Sequence, residues 1–346
     1  MKPRILIIHP GTLGDVLLSL LAIRNVRCSL PTHECVLLAK AEIGRLFKEY
    51  GVVEHMLDLD GPVFSELLKE STVPSPLLTE SFVNCTHVVA WLRDQDHRLS
   101  KKFRQVGIRH SWILSPHQDS LRSGHQADRY CEILGLDVPN WSDRHLLGHS
   151  SFNGRTRLVK QKAANPLAEN GTDVIFIHPG SGSRHKCVSV QRLSTIIKRL
   201  SAKGERRMLI SQGPDDEDIV SALKPLLGKV GFRLITHVDL LGMAQELQQA
   251  TVFVGHDSGI THLAAALGVP TVALFGPTDL NRWAPRGQHV NVLKGPECQC
   301  HDWDSVRSCL EKRCLNHSVD EVVENVERLL ALVHETGPQR ELMGVH

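Results

Sequence analysis

The chain of 346 residues carries a formal net charge of +2, and 41% of it is apolar. That allows a sizeable core in each of two domains and leaves too little positive charge for a nucleic-acid partner, while an aromatic content of 5% argues against stacking on single strands. No run reaches the ~18 apolar residues of a membrane helix, His9-Pro10-Gly11 cuts short the only apolar stretch that could open a signal peptide, and nine Cys are too few for a disulfide scaffold, so a cytoplasmic chain without a transmembrane segment is expected.

Arg4 to Ile8 is an Ile-rich apolar run that predicts a buried parallel strand. The turn His9-Pro10-Gly11-Thr12-Leu13-Gly14 follows, and Asp15 opens a helix through Arg27 with Val16, Leu20, Ile23 and Arg27 at helical spacing. Strands are predicted at Cys35–Ala39, Val52–Leu57, Val88–Leu92 and Trp112–Leu114. Helices are predicted near Glu42–Tyr50, Ser65–Glu70, Ser100–Val106 and Gln126–Leu134. The alternation implies a parallel α/β sheet. From Asp137 to Thr172 the rhythm breaks at Pro139, Gly148, Gly154, Pro166 and Gly171, which predicts an interdomain connector.

The pattern then restarts. Asp173–Ile177 reads as a strand and His178–Ser183 as a turn. Ser189 caps a helix with apolar face Val190, Leu193, Ile197 and Leu200. Further strands are predicted at Met208–Ser211, Val252–Val254 and Thr271–Phe275, and helices at Asp216–Leu227, Leu240–Gln249 and Ile260–Leu267. Ser318-Val319-Asp320-Glu321 is a capping box before the stripe Val322, Val326, Leu329 and Val333. Ile7-Ile8-His9-Pro10-Gly11 is echoed by Phe176-Ile177-His178-Pro179-Gly180, each closing a first strand, which suggests two similar doubly wound units.

Three turns carry candidate chemistry. In Gly11-Thr12-Leu13-Gly14-Asp15 the glycines permit close backbone approach, and Asp15 stands at a helix N-terminus, where it would also complement the helix dipole. The glycine spacing is that of neither a dinucleotide fingerprint nor a triphosphate loop. In Gly180-Ser181-Gly182-Ser183-Arg184-His185-Lys186, backbone N–H groups, hydroxyls and a lysine suit an anionic phosphate. In Asp257-Ser258-Gly259-Ile260-Thr261-His262, the start of a helix suits a diphosphate, and Asp257 could accept hydrogen bonds from sugar hydroxyls. His262, one turn in, could face the same site.

Taken together these segments resemble the bacterial lipopolysaccharide heptosyltransferases, glycosyltransferase family 9. The matching motifs are Leu13-Gly14-Asp15, then His178–Gly182 with Lys186, then Asp257–His262 followed by Phe275-Gly276-Pro277-Thr278. The resemblance implies a GT-B fold, with two Rossmann-like doubly wound domains facing across a cleft. An acceptor-binding domain would span 1–160 and a nucleotide-sugar-binding domain 161–317. A helix at 318–336 would pack back on the first domain, and 337–346 would be a flexible tail.

The resemblance further implies an inverting, metal-independent transfer that requires no cofactor. Heptose would move from ADP-heptose to a lipopolysaccharide-core or similar glycolipid. Asp15 would be the general base, with Thr12 and Gly14 in the acceptor-side loop. Ser181, Gly182, Ser183, Lys186, Asp257, Ser258, Gly259 and His262 would hold the donor. By the same resemblance Asp215 or Asp216 would touch the ribose, although an ordinary acidic first helical turn is the preferred reading. The family's Trp-Pro after the lysine is replaced here by Cys187-Val188-Ser189. Another sugar-nucleotide enzyme of the same architecture, such as an epimerase, and a non-catalytic nucleotide-sugar-binding protein are the alternatives.

Two features stand outside these motifs. Cys298, Cys300, Cys309 and Cys314 cluster in sequence and could hold zinc, but they lack paired Cys-x-x-Cys knuckles, so a structural loop without metal is the preferred reading. Between Arg93 and Arg129 basic residues outnumber acidic ones. Arg93, Arg98, Lys101, Lys102, Arg104, Arg109, Arg122 and Arg129 would form either a solvated face or a landing site for an anionic glycolipid at the inner membrane surface.

Overall fold

The computed structural model describes residues 1–71, 73–115, 124–136, 147 and 172–336. Most of the expected connector 137–172, the tail 337–346, and Asp119 and Arg122 of the basic stretch lie outside the described residues. The chain divides into two compact units, the described residues up to 136 belonging to the first and those from 172 to the second.

The first unit contains β1 (Arg4–Ile8), α1 (Leu13–Leu18), α2 (Leu20–Ser29), β2 (Glu34–Ala39), α3 (Ala41–Glu49), β3 (His55–Asp58), α4 (Pro62–Leu68), α5 (Pro76–Ser81), β4 (Cys85–Ala90), α6 (Arg98–Gln105), β5 (His110–Ile113) and α7 (Gln126–Glu132). Its five strands are parallel in the order β3-β2-β1-β4-β5. Every residue of β1 from Ile5 to Ile8 is buried, as a central strand covered on both faces requires. The helix expected from Asp15 to Arg27 is broken at Ser19, whose hydroxyl donates to the Val16 carbonyl at 2.8 Å. Arg27, at the end of α2, is buried and forks onto Glu54 at 2.6 and 2.9 Å, while Glu54 also accepts the Cys35 N–H at 2.7 Å.

The second unit contains β6 (Asp173–His178), α8 (Val190–Ser201), β7 (Arg206–Ser211), α9 (Glu217–Leu227), β8 (Phe232–Ile235), α10 (Leu240–Leu247), β9 (Val252–His256), α11 (Gly259–Ala266), β10 (Thr271–Phe275), α12 (Leu280–Trp283), β11 (Val290–Lys294), α13 (Trp303–Ser308) and α14 (Val319–Thr336). Six parallel strands run β11-β10-β9-β6-β7-β8. Counted from its own first strand, this is the order of the first sheet with one strand added. The edge strands β8 and β11 were not legible in the sequence, because an edge strand is covered on one side only and its apolar run is diluted, as in Val290-Asn291-Val292.

The last helix corrects an expectation. α14 packs mainly on α8, β9 and β10, and Val322, Val323, Val326, Leu329 and Leu330 belong to the second unit's core. Arg206 forks onto Glu327 at 2.8 Å, and His334 meets Asp173 at 2.9 Å. The helix is therefore built into the second unit.

The basic stretch is corrected as well. Lys102 is buried, and its ammonium donates to the carbonyls of Glu66, Leu67 and Lys69 at 3.3, 2.9 and 2.9 Å. It satisfies the C-terminal carbonyls of α4, which have no partner within the helix, and is not available to an acceptor. Arg129 is also buried. Arg93, Lys101, Arg104 and Arg109 remain exposed. Lys102→Met is expected to leave those carbonyls without their donor and lower stability by about 1–3 kcal/mol. Lys101→Met, one residue away, is expected to stay within about 0.5 kcal/mol of wild type. Urea midpoints of the two variants measure the contrast, and equal effects would refute the assignment.

Candidate functional site

A parallel sheet whose first strand lies at its centre reverses strand order beside that strand, and a crevice opens at the carboxyl ends where the reversal occurs. In the second unit the reversal falls between β6 and β9. The segments following these strands are the turn at His178–Lys186 and the start of α11.

The structure brings Ser181, Lys186, Asp257, Ser258 and Gly259 together at that point. Lys186 Nζ stands 2.8 Å from Asp257 Oδ2, and both side chains are largely shielded, at 22% and 8% exposure. Ser181 Oγ donates to the Asp257 carbonyl at 2.5 Å, tying the β6 turn to the β9 turn. Ser258 caps α11 by accepting the Thr261 N–H at 3.3 Å, and the Thr261 hydroxyl donates back to the His256 carbonyl at 2.5 Å. The first-turn N–H groups of α11 have no partner within the helix, and the positive end of the helix favours an anion. His262 is buried in the second turn of α11.

The two glycines of the β6 turn have different reasons to be glycine. A Cβ on Gly180 would lie 1.6 Å from Asp216 Oδ1, so the backbone packs directly on that carboxylate. A Cβ on Gly182 would meet nothing within 4 Å, so space is open beside it. Asp216 is buried and accepts the Gly213 N–H at 2.8 Å. It closes that turn and backs Gly180, in keeping with the acidic-turn alternative. Ser183 caps only a three-residue 3-10 turn, Arg184–Lys186, and α8 does not start until Val190. Ser181–Ser183 thus leads into a single tight turn, and α11 supplies the longer helix end.

Beneath the crevice lies a buried polar floor of His178, Ser211, Asp216 and His256. His178 Nδ1 is 2.9 Å from Ser211 Oγ and 3.9 Å from Asp216 Oδ2. His256 Nε2 accepts the Val188 N–H at 3.1 Å, which requires an unprotonated nitrogen there. Burial holds the pKa of His178 below the ordinary imidazole value, with Asp216 acting in the opposite direction. Burial pushes His256 down to about 3 and the neighbouring His317 to about 4.

Trp303 was not foreseen as part of this site. Its indole lies 5.5 Å from Lys186 Nζ, a cation–π distance. An indole therefore does stand beside this lysine, although Cys187-Val188-Ser189 replaces the expected Trp-Pro. It comes from α13, about 117 residues further on in the chain numbering, and no local pattern could have placed it.

In the first unit, the turn after β1 also lies at the strand-order reversal, between β1 and β4. Asp15 Oδ2 accepts the Thr12 N–H at 3.0 Å and the Thr12 hydroxyl at 2.8 Å, closing a capping box on α1. Thr12 is exposed, and Gly14 and Asp15 are half-buried. The Gly11 N–H donates to His9 Nδ1 at 3.1 Å. His9, Trp91 and Tyr130 form a buried aromatic cluster with centroids 4.9 to 5.5 Å apart. Burial and the Asp15 charge both raise the Tyr130 phenol, which keeps it neutral.

Comparison with known proteins agrees with this architecture. The sequence profile of glycosyltransferase family 9 (heptosyltransferase) matches residues 148–314. The chain is 30% identical over 126 residues to lipopolysaccharide heptosyltransferase 3 of Escherichia coli, a match covering 33% of this chain and 34% of that protein. The chain thus matches about a third of that relative's length. In structure it is similar to a glycosyl transferase family 9 protein of Veillonella parvula, with TM-score 0.73, 17% identity and 95% and 98% of the two chains covered. It is also similar to the ADP-heptose lps heptosyltransferase II of Escherichia coli, with TM-score 0.69, 17% identity and coverage of 96% and 99%. These likenesses place the chain in the GT-B fold class expected from its sequence.

The buried histidines give the second unit a definite pH dependence. They are neutral when folded but gain protons in the unfolded chain below the ordinary value of 6.5. Because the unfolded state binds more protons, stability is expected to fall as pH drops from about 6.5 toward about 3. Urea midpoints between neutral pH and about pH 4 should decrease, and more shallowly for His256→Gln. An unchanged slope in that variant would exclude His256 as a contributor.

Proposed function

We propose that the chain, whose residues 148–314 match the profile of glycosyltransferase family 9, the heptosyltransferase family, is a member of it and transfers heptose from ADP-heptose to a glycolipid of the lipopolysaccharide-core type. The observation that carries this reading is the Lys186–Asp257 pair beside the N-terminus of α11, at the strand-order reversal of the second sheet. A diphosphate seated there would meet Lys186, the hydroxyls of Ser181, Ser183 and Ser258, and the first N–H groups of α11. A carboxylate beside a diphosphate is unfavourable by itself. Here Asp257 has a cationic partner, so it can aim the lysine and still accept a hydroxyl of the sugar. The name of one structural neighbour, an ADP-heptose enzyme, supports the donor assignment.

Asp15 is the general base of the proposed reaction. Both of its hydrogen bonds end on Oδ2, which orients the carboxylate and leaves Oδ1 to take the proton of the acceptor hydroxyl. The hydroxyl oxygen attacks the anomeric carbon as the bond to the diphosphate breaks, inverting the configuration. Negative charge then grows on the departing diphosphate, where Lys186 and the α11 terminus are already directed. The reaction so written uses no metal at the diphosphate. The exposed cations Arg93, Lys101, Arg104 and Arg109 would draw an anionic acceptor, and with it the chain, to a membrane surface. Among the described residues no helix is long and apolar enough to cross a membrane.

Asp15→Asn preserves an acceptor for the Thr12 N–H but removes the base. Its turnover is expected to fall by about 10²–10⁴-fold, while calorimetry gives unchanged affinity for ADP and weaker binding of UDP and GDP to both proteins. Parallel loss of turnover and ADP binding would mean that Asp15 only holds the turn. Replacing Lys101 and Arg104 by Glu, with Lys102 intact, is expected to raise KM for an anionic acceptor and leave donor affinity alone. An unchanged acceptor KM would remove that surface from the proposal.

A further inference from the structure

The four cysteines of the 298–314 segment have no part in the transfer reaction, yet the segment gathers their thiols from positions up to 16 residues apart. Cys298 Sγ lies 3.2 Å from Cys300 Sγ and 4.0 Å from Cys309 Sγ, and all three sulfurs fall within 4.8 Å of one another. A tetrahedral thiolate site with metal–sulfur bonds of about 2.3 Å sets its sulfurs about 3.8 Å apart. The two observed separations bracket that value, and neither approaches the ~2.05 Å of a disulfide. A fourth thiol, Cys314, is buried in the core cluster against which Cys298 packs.

The surroundings fit the same purpose. The Lys312 N–H donates to Cys309 Sγ at 3.3 Å, the kind of bond that steadies a thiolate ligand. A Cβ on Gly295 would come within 2.0 Å of the Cys314 carbonyl, so this glycine lets the Cys314 backbone dock against the end of β11. Otherwise the loop has little to hold it. From Pro296 to Arg313 only Val306 is buried, and Leu310 is 98% exposed. A segment with so little apolar burial gains its order from cross-links or a bound ion. The loop carries α13 between Cys300 and Cys309, and with it Trp303, whose indole lies over Lys186.

We propose that Cys298, Cys300, Cys309 and Cys314 bind one thiophilic divalent ion, zinc or ferrous iron, and that this ion closes the 298–314 loop and holds Trp303 beside Lys186. Each thiol gives up its proton on binding, so the four sulfurs coordinate as thiolates and the ion undergoes no change of oxidation state. The site is structural and independent of the transfer reaction proposed above. All-sulfur tetrahedral ligation favours these two metals over the hard cations that oxygen ligands select.

The test uses the full chain, expressed without added metal and purified without chelator. Elemental analysis is expected to find about one zinc or iron per chain. After removal of that ion under reducing conditions, titration with Co²⁺ alone is expected to saturate at one equivalent, with the intense visible bands of tetrahedral cobalt thiolate. Cys300→Ser and Cys309→Ser should lose the ion, whereas Cys28→Ser, an exposed thiol elsewhere, should retain it. Cleavage after Arg307 should accelerate on metal removal. If the serine variants do not fold, the cobalt titration of the wild-type chain decides alone. A reduced chain that takes up no Co²⁺, or an intact mass showing Cys298 and Cys300 joined as a disulfide in the metal-free native protein, would overturn the proposal.

Discussion

In each unit the first strand is laid down at the centre of the sheet, and later strands are added outward, first to one side and then to the other. Parallel strands need a crossover for each addition, and those crossovers share one hand. The helices after the two central strands therefore leave in opposite directions, and backbone cannot fill the gap between them. Glycine turns, a lone carboxylate and a helix N-terminus occur at these two gaps because they are where the chain stays uncovered. β1 and β6 are buried along nearly their whole length, so the positions of the turns that follow them are set by the most rigid parts of the fold.

The crevice of the second unit stands on a floor that is buried but not apolar. His178, Ser211, Asp216 and His256 lie under the Ser181 and Asp257 turns, and the two histidines are kept neutral by burial. The two neutral histidines add no charge of their own, and above them lies the pair of Lys186 and Asp257. Their shielded pairing also means that an anion arriving at Lys186 enters an environment of reduced dielectric, where a single charge acts more strongly than it would in bulk water. The indole of Trp303 stands beside the same lysine, 5.5 Å from its ammonium.

Features that depend on neighbouring residues were readable. The Ser189 cap, the Ser318 start of the last helix and the echo of β1 in β6 all rest on contacts within a few positions. Features settled by distant partners were not legible. Lys102 looked like one more surface cation because charge in a sequence says nothing of direction, and only the docking of α6 against α4 turns it inward. The last helix showed an apolar stripe, but its destination was chosen by α8 and β9, together with the Arg206–Glu327 fork. The spacing of the four cysteines argued against a metal, since it lacks paired knuckles. Folding of the loop around α13 nevertheless brings Cys298, Cys300 and Cys309 within 4.8 Å of one another.

The sequence by itself determined the two parallel α/β units, the turns that close their first strands, and the residue types placed at those turns, because periodicity, capping and glycine placement act over a single turn of chain. Tertiary structure alone decided which charges meet. It paired Lys186 with Asp257 across 71 positions of chain numbering, put Trp303 beside them, and buried His256 deeply enough to keep it neutral. The physical reason is that Coulomb and cation–π forces depend on separation in space and on the surrounding dielectric, and neither quantity exists until the sheets have assembled.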